Sequence, residues 1–338
     1  MGSAAVEVEM DPETRAAASM LGLRETRISR QDLMACVAET HDVARALKAR
    51  EFDRVLAMRG RSFNEAFRTV RTVARALPHD PVPGRRRLRL AIVNADAPAP
   101  GMTMATRVAV RLGMDRGHEM IWVRGGFEGL LRGDLRAFTW MDVTGWGQRG
   151  GSELGTNRMV PTDDELASMA ATLEQERIDA LLMIGGFSGY EIAYRMWAQR
   201  EALPAFDLPL LCLPASIDNN LPGSEISVGA DTALNSIVCA VDSIKQSAVA
   251  SGRAFVVEVM GGTCGYLALM GGLATGAERV YLNEEGVTLD DLRHDVEKLI
   301  TGFRMGKRLG LMIRNEEANP CYSTQFMVSL FEEEGGEA

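Results

Sequence analysis

The sequence predicts an α/β protein in which short parallel strands alternate with helices, preceded by a helical connector. Three observations predict it. After Arg87, short apolar runs alternate with longer amphipathic stretches, the pattern of parallel sheets covered by helices on both faces. Before Arg87, apolar residues recur at helical spacing and then stop at a proline-rich linker. Residues able to do chemistry sit in Gly- and Asn-rich loops directly after apolar runs, beyond the strand carboxyl ends where such sheets bind ligands.

Taken in order, residues 1–28 are Ala- and Glu-rich without periodicity and read as a flexible tail. Residues 29–84 read as a helical connector that opens on a cap at Ser29-Arg30-Gln31-Asp32. Phe63, Phe67, Val70, Ala74 and Leu77 recur at spacings of four and three, one helix face. This segment has too little apolar content to stand alone, so the stripe is expected to dock on another body. The helix ends at Pro78, and Pro81-Val82-Pro83-Gly84 is a stiff linker. Strands are expected at Leu88–Val93, Met120–Val123, Ala180–Ile184, Leu208–Leu213, Phe255–Val259, Val280–Leu282 and Leu309–Ile313. Helices are expected near 102–115, 163–176, 189–200, 229–249 and 289–303. We divide this part into a first α/β subdomain, 85–225, and a second, 226–338.

Bulk properties exclude several classes of function. With 338 residues the chain has room for about two domains with cores of their own. A net charge of -9 argues against nucleic acid or an anionic membrane as partner. There is no run of about 18 apolar residues to span a membrane, and no basic-then-apolar start to mark a signal peptide. The five cysteines, Cys36, Cys212, Cys239, Cys264 and Cys321, are odd in number and scattered without zinc-ligand spacing. A reduced, cytoplasmic chain without a metal centre is the expectation.

Three loops carry chemistry. Pro214–Gly223 packs Ser216, Ile217, Asp218, Asn219 and Asn220 together before a Pro-Gly turn. A carboxylate there suits a general base on a sugar hydroxyl, with the amides fixing substrate. The same residues equally suit an Asx-rich turn bonded to its own backbone. Met260-Gly261-Gly262-Thr263-Cys264-Gly265 follows a strand, so its amides can approach an anion at a helix start, although tight packing also explains such glycines. Gly150–Arg158 is Gly-rich and ends in Arg158, suited to bidentate phosphate contact or to a solvated surface. No strand is followed by GxGxxG, which removes a dinucleotide-binding dehydrogenase.

The order of these pieces is more specific than any one of them. Ile217-Asp218-Asn219-Asn220-Leu221-Pro222-Gly223, then Gly229-Ala230-Asp231-Thr232-Ala233-Leu234-Asn235, Arg253, and Met260–Gly265 continuing into Tyr266-Leu267-Ala268 form one series. Upstream stand Ala97-Pro98-Ala99-Pro100-Gly101-Met102 and the run Gly125–Gly133. This series resembles the 6-phosphofructokinase family, and in particular the C-terminal, effector-binding half of eukaryotic-type ATP-dependent enzymes. Even the stretch from Leu33 to Phe63 resembles the connector between the halves of those enzymes.

The resemblance implies a phosphofructokinase-like fold of two Rossmann-like subdomains, the second incomplete because family members continue beyond the point where this sequence stops. It implies magnesium and ATP as cofactors of the family enzyme, but not of this chain alone. Asp96 stands where the family has a phosphate-facing glycine, and Phe187 where it has the metal carboxylate. It implies that Arg158, Ser216, Ile217, Asp218, Asn219, Asn220, Arg253, Met260, Gly261, Gly262 and Glu316 line a pocket for a fructose phosphate or bisphosphate, fructose 2,6-bisphosphate in effector halves. Asp218 matches the catalytic base of catalytic halves, whereas Asn220 and Gly262 depart from them. Arg253 in the family reaches a neighbouring half's site, so the expected partner is a second copy in a homo-oligomer or a catalytic phosphofructokinase half. A regulatory half, a fragment without independent function and an active sugar-phosphate kinase all remain open at this stage.

Overall fold

A computed structural model describes residues 41–335, apart from 47, 59 and 60. The expected tail at 1–28, the cap at Ser29–Asp32 and Cys36 lie outside the described residues. The chain divides into two compact units, Met1–Arg75 and Ala76–Ala338.

In the first unit, helices α1 (Phe52–Met58) and α2 (Arg61–Arg75) carry the described part of the connector. Val43, Ala46 and Val55 form a small buried cluster, and the rings of Phe52 and Phe67 stack with centroids 6.2 Å apart. The predicted stripe is only partly used: Phe67 is half-buried, while Val70 and Ala74 are exposed.

The second unit begins by fastening the linker. The Leu77 amide donates to Asp115 Oδ1 at 3.0 Å, and the His79 amide to the Met114 carbonyl. Its first sheet contains β1 (Arg89–Ala95), β2 (Glu119–Val123), β3 (Leu135–Ala137), β4 (Ala180–Gly185), β5 (Leu210–Ser216) and β6 (Val228–Gly229). The order is β3-β2-β1-β4-β5-β6, parallel except for the antiparallel edge strand β3. Residues Ala91 to Ala95 of central β1 are fully buried, as expected of a strand covered on both faces. Beneath one face lie α4 (Phe127–Arg132), α5 (Asp163–Gln175) and α6 (Phe187–Ala198), which supply Phe127, Leu166, Met169, Ile192 and Met196 to the core. On the other face, α3 (Met102–Asp115) packs with Phe138, Val143 and Trp146.

A second sheet, β7 (Ala254–Val259), β9 (Gly310–Asn315) and β8 (Arg279–Tyr281), is parallel in the order β7-β9-β8. It is also covered on both sides. Helices α7 (Ala230–Ser251) and α8 (Tyr266–Thr275) lie on one face, contributing Val241, Leu267 and Ala268. On the other, α9 (Leu289–Arg304) and α10 (Thr324–Gly335) contribute Leu292, Leu299 and Met327. The predicted α/β class with parallel sheets and flanking helices is what the chain forms.

Several elements differ from expectation, and the short α4 and β6 have no counterpart among the expected segments. β3 is absent from the sequence reading because Leu135-Arg136-Ala137 has no apolar run; it exists as an edge partner of β2. β5 runs on through Pro214 to Ser216, past the expected end at Leu213. Its outer neighbour is the two-residue β6, and a proline is tolerated in a strand so sparsely paired. α6 starts two residues earlier than expected, at Phe187. α10 was not anticipated; it is held by burial of Met327 against the second sheet. Among the described residues no helix is long and apolar enough to cross a membrane. Cys212, Cys239, Cys264 and Cys321 are free thiols.

Candidate functional site

The strand order of the first sheet places β2 on one side of β1 and β4 on the other. The crevice beyond the carboxyl ends of β1 and β4 is therefore a topological switch point, where open parallel sheets hold ligands. Register puts Ala95 beside Gly185, and Gly185 beside Pro214. Three turns, after Ala95, Gly185 and Ser216, thus end at one level. In the second sheet Val259 pairs Asn315, so Met260–Gly262 and Glu316 leave neighbouring strands side by side.

These two groups of loops meet. Ile217 packs against the α3 side of the first sheet and against the α7–α8 core of the second. That places Asp218 between the sheets: a methyl group on Gly262 would stand 4.0 Å from Asp218 Oδ2. The Asp218 amide donates to Ser216 Oγ at 3.2 Å. Burial, reinforced by the negative charges of Glu316 and Asp96, holds the Asp218 carboxyl above the usual carboxylate range. Arg158 and the Ser216 hydroxyl pull it the other way.

The Gly-rich loop after β7 adopts the conformation that only glycine takes easily. Gly261 and Gly262 have φ of 148° and 55°, and a Cβ on Gly261 would lie 2.4 Å from the Cys264 carbonyl oxygen. The amides expected to face an anion are already committed within the protein. Glu316 Oε1 accepts from Gly261 N at 3.0 Å and Gly262 N at 2.8 Å. Gly265 N donates to Glu284 Oε1 at 2.8 Å. Glu284 is not among the expected site residues, since nothing in its own neighbourhood announces a helix-capping carboxylate.

The loop 150–158 is strapped over the end of β1. Asn94 Nδ2 donates to Ser152 Oγ at 2.7 Å, the Asp96 amide to the Asn157 carbonyl at 2.8 Å, and Thr156 Oγ1 to the Asp96 carbonyl at 2.7 Å. This delivers Arg158, whose Nε lies 3.0 Å from Asp96 Oδ1 and whose side chain is otherwise 68% exposed.

Not every expected residue joins the cluster. Asn219, with φ of 54°, turns its side chain onto its own loop: Oδ1 accepts from Ser227 N at 2.8 Å and Nδ2 donates to the Glu225 carbonyl. These bonds reach six and eight residues along the chain, so they tie the loop to the segment before β6 and do not form an Asx turn, which closes two residues on. Asn220 Oδ1, by contrast, is buried and has no hydrogen-bond partner in the protein. Met260 is exposed beside the glycines. Arg253 precedes β7, whereas the glycines follow it, so the strand rise puts its backbone about 20 Å from Val259 at the other end. It is exposed and does not join the cluster of its own chain. Among the described residues no group of three or more His, Cys, Asp or Glu lies close enough to hold a metal ion.

Comparison with known proteins agrees with this architecture. The phosphofructokinase family model matches residues 89–338. ATP-dependent 6-phosphofructokinase of Dictyostelium discoideum is 42% identical over 94% of this chain and 38% of its own length. The human platelet-type ATP-dependent 6-phosphofructokinase is 41% identical over 99% of this chain and 43% of its own. The chain therefore spans about two fifths of the length of these curated relatives. Solved phosphofructokinases from Saccharomyces cerevisiae and Pichia pastoris, the latter in the T-state, are each 36% identical, with TM-scores of 0.80 and 0.82. They cover 89% and 93% of this chain, and 41% and 36% of their own. Sheet order, switch-point loops and these matches agree: the chain belongs to the phosphofructokinase family.

Proposed function

We propose that the chain is the regulatory half of an ATP-dependent 6-phosphofructokinase, the glycolytic kinase that converts fructose 6-phosphate to fructose 1,6-bisphosphate, and that it binds a fructose bisphosphate effector. The observation that carries this reading is the meeting of Ser216–Asn220 with Gly261, Gly262 and Glu316, beside a β1–β4 switch point that does not fit magnesium and ATP. Phe187, 54% exposed at the start of α6, offers no ligand atom to a metal. The Asp96 carboxylate lies against the first turn of that helix, where a phosphate of ATP would need to sit. The sugar side suits a phosphorylated ketose. Arg158 has exposed guanidinium surface for phosphate oxygens. Asn220 Oδ1 lacks a donor, which a sugar hydroxyl supplies. Arg253, exposed at the opposite end of β7 from Gly261 and Gly262, serves the site of a second copy or of a catalytic half.

The test is thermal stability of the purified chain titrated with fructose 2,6-bisphosphate, fructose 6-phosphate and ATP. A ligand that binds only the folded state adds about 2.7 kcal/mol at a hundredfold excess over Kd. A shift with the bisphosphate and none with ATP supports the regulatory reading. If no shift appears with any sugar phosphate, even with a catalytic half present, the reading fails.

One observation favours a second reading, an active sugar-phosphate kinase. A half-buried carboxylate whose pKa is raised by burial, as at Asp218, is a stronger base than an exposed one, which suits general-base work on a sugar hydroxyl. A coupled assay with ATP and with pyrophosphate as donors tests it, and turnover that survives Asp218→Asn removes Asp218 from that role.

A further inference from the structure

The amino end of a helix attracts anions because its first amides have no partner within the helix. α6 starts after Gly186, which provides no side-chain cap. The Ser188 amide nevertheless has an acceptor, Asp96 Oδ2 at 3.0 Å, brought from a turn 92 positions earlier in the chain. The other oxygen, Oδ1, accepts from the Ala97 amide at 2.7 Å and from Arg158 Nε at 3.0 Å. One carboxylate thus gathers a helix amide, a turn amide and a guanidinium, the set of donors that binds a phosphate group.

Two further features show the fold shaped around this carboxylate. Asp96 has φ of 70°, a left-handed backbone that glycine adopts freely and side chains resist. Facing it, Gly186 is bare, and a Cβ there would lie 2.6 Å from Asp96 Oδ2. A strained residue held opposite a position stripped of its side chain points from geometry to a role.

We propose that Asp96 is the specificity-determining residue of this site: a built-in anion that occupies the phosphate position at the amino end of α6 and engages Arg158. Phosphate then meets only the exposed side of Arg158, and a second phosphate group in line toward α6 is refused. A sugar carrying separate phosphate monoesters is accepted, and a chain of linked phosphates is not. Opening the site needs no new residue, only removal of this carboxylate. The physiological ligand rests on the sugar-phosphate reading above, while the occupancy of the α6 end by Asp96 does not.

The probe is pyrophosphate, which has neither sugar nor base, titrated by calorimetry into the whole chain. Asp96→Gly is expected to bind it at least about tenfold more tightly than the unmodified protein, the scale of one charge-assisted hydrogen bond. Asp96→Asn keeps a side chain in place and removes its charge, so a smaller gain is expected. Adding Arg158→Ala to Asp96→Gly is expected to abolish the gain. No gain in either single variant overturns the proposal, as does a gain that persists without Arg158. If Asp96→Gly does not fold, the comparison of Asp96→Asn with the unmodified protein decides alone. Fructose 2,6-bisphosphate binding to the unmodified protein separates the two readings. Bisphosphate binding with no pyrophosphate gain sinks only the role of Asp96, and the reverse pattern sinks only the proposed effector.

Discussion

A carboxylate half-buried beside two others, as Asp218 is beside Glu316 and Asp96, holds its proton more tightly in the folded chain than in the unfolded one. Its contribution to stability is therefore fully present below the unfolded value near 3.8 and is lost as pH rises through the higher folded value. Asp218→Asn, neutral throughout, should gain stability relative to the unmodified protein as pH is raised from 3 to 8, read as the difference in urea midpoints. Parallel midpoints across that range would contradict the raised value. Glu316 holds the same meeting point together by hydrogen bonding, its Oε1 accepting from the Gly261 and Gly262 amides. Glu316→Ala should cost about 1–3 kcal/mol, the scale of orphaned amides, and should weaken sugar-phosphate binding in the same titration. At this scale the sequence was legible in residue types: the Ser216–Asn220 loop, the two glycines and Glu316 all fall at the meeting of the sheets. It was not legible in pairings. Arg158 and Asp96 are 62 positions apart, and no spacing rule links residues joined only by a crossover between strands.

Helices and strands show the same division between local cues and tertiary packing. α5, expected from its apolar spacing, opens on a capping box in which both reciprocal bonds form: Thr162 N to Glu165 Oε2 at 2.6 Å and Glu165 N to Thr162 Oγ1 at 3.3 Å. Thr162→Ala should cost about 1 kcal/mol, read as a lowered midpoint in urea unfolding. Gly189 in α6 makes a sharper test. Glycine-to-alanine in a helix ordinarily stabilises by about 1 kcal/mol. Here a Cβ would stand 2.8 Å from Ala95 Cβ and 2.9 Å from Met183 Sδ, so α6 would have to lift off β1 and β4. Gly189→Ala should destabilise by about 1–3 kcal/mol and weaken binding of the sugar phosphate, since the Ser188 amide moves with the helix and displaces Asp96, which holds Arg158. A neutral or stabilising outcome would show that α6 is not seated as closely as described. Strongly apolar strands were readable from the chain. β3 and β6 were not, because they are defined by an edge partner and carry no pattern of their own.

Within the second unit, the two sheets share Ile217 and a site that draws loops from both. A single cooperative transition is expected for this unit, and the distribution of chromophores allows a check. The four tryptophans, at positions 122, 140, 146 and 197, all lie in the part of the chain that builds the first sheet, so their fluorescence reports on that sheet alone. Circular dichroism reports on both. The two urea midpoints should coincide, and saturating fructose 2,6-bisphosphate should move them together; a ligand held by one sheet alone would separate them. The amino-acid sequence by itself determined the α/β class, the central strands and most long helices, the loops that carry the chemistry and the family resemblance. Each is written in hydrophobic period or in consecutive residues. Only the tertiary structure decided which loops meet, that Asp96 fills the amino end of α6, and that Glu316 and Glu284 take the glycine amides. The physical reason is that backbone amides donate to any carboxylate that crossover topology brings to them, and that topology, unlike periodicity, leaves no mark on neighbouring residues.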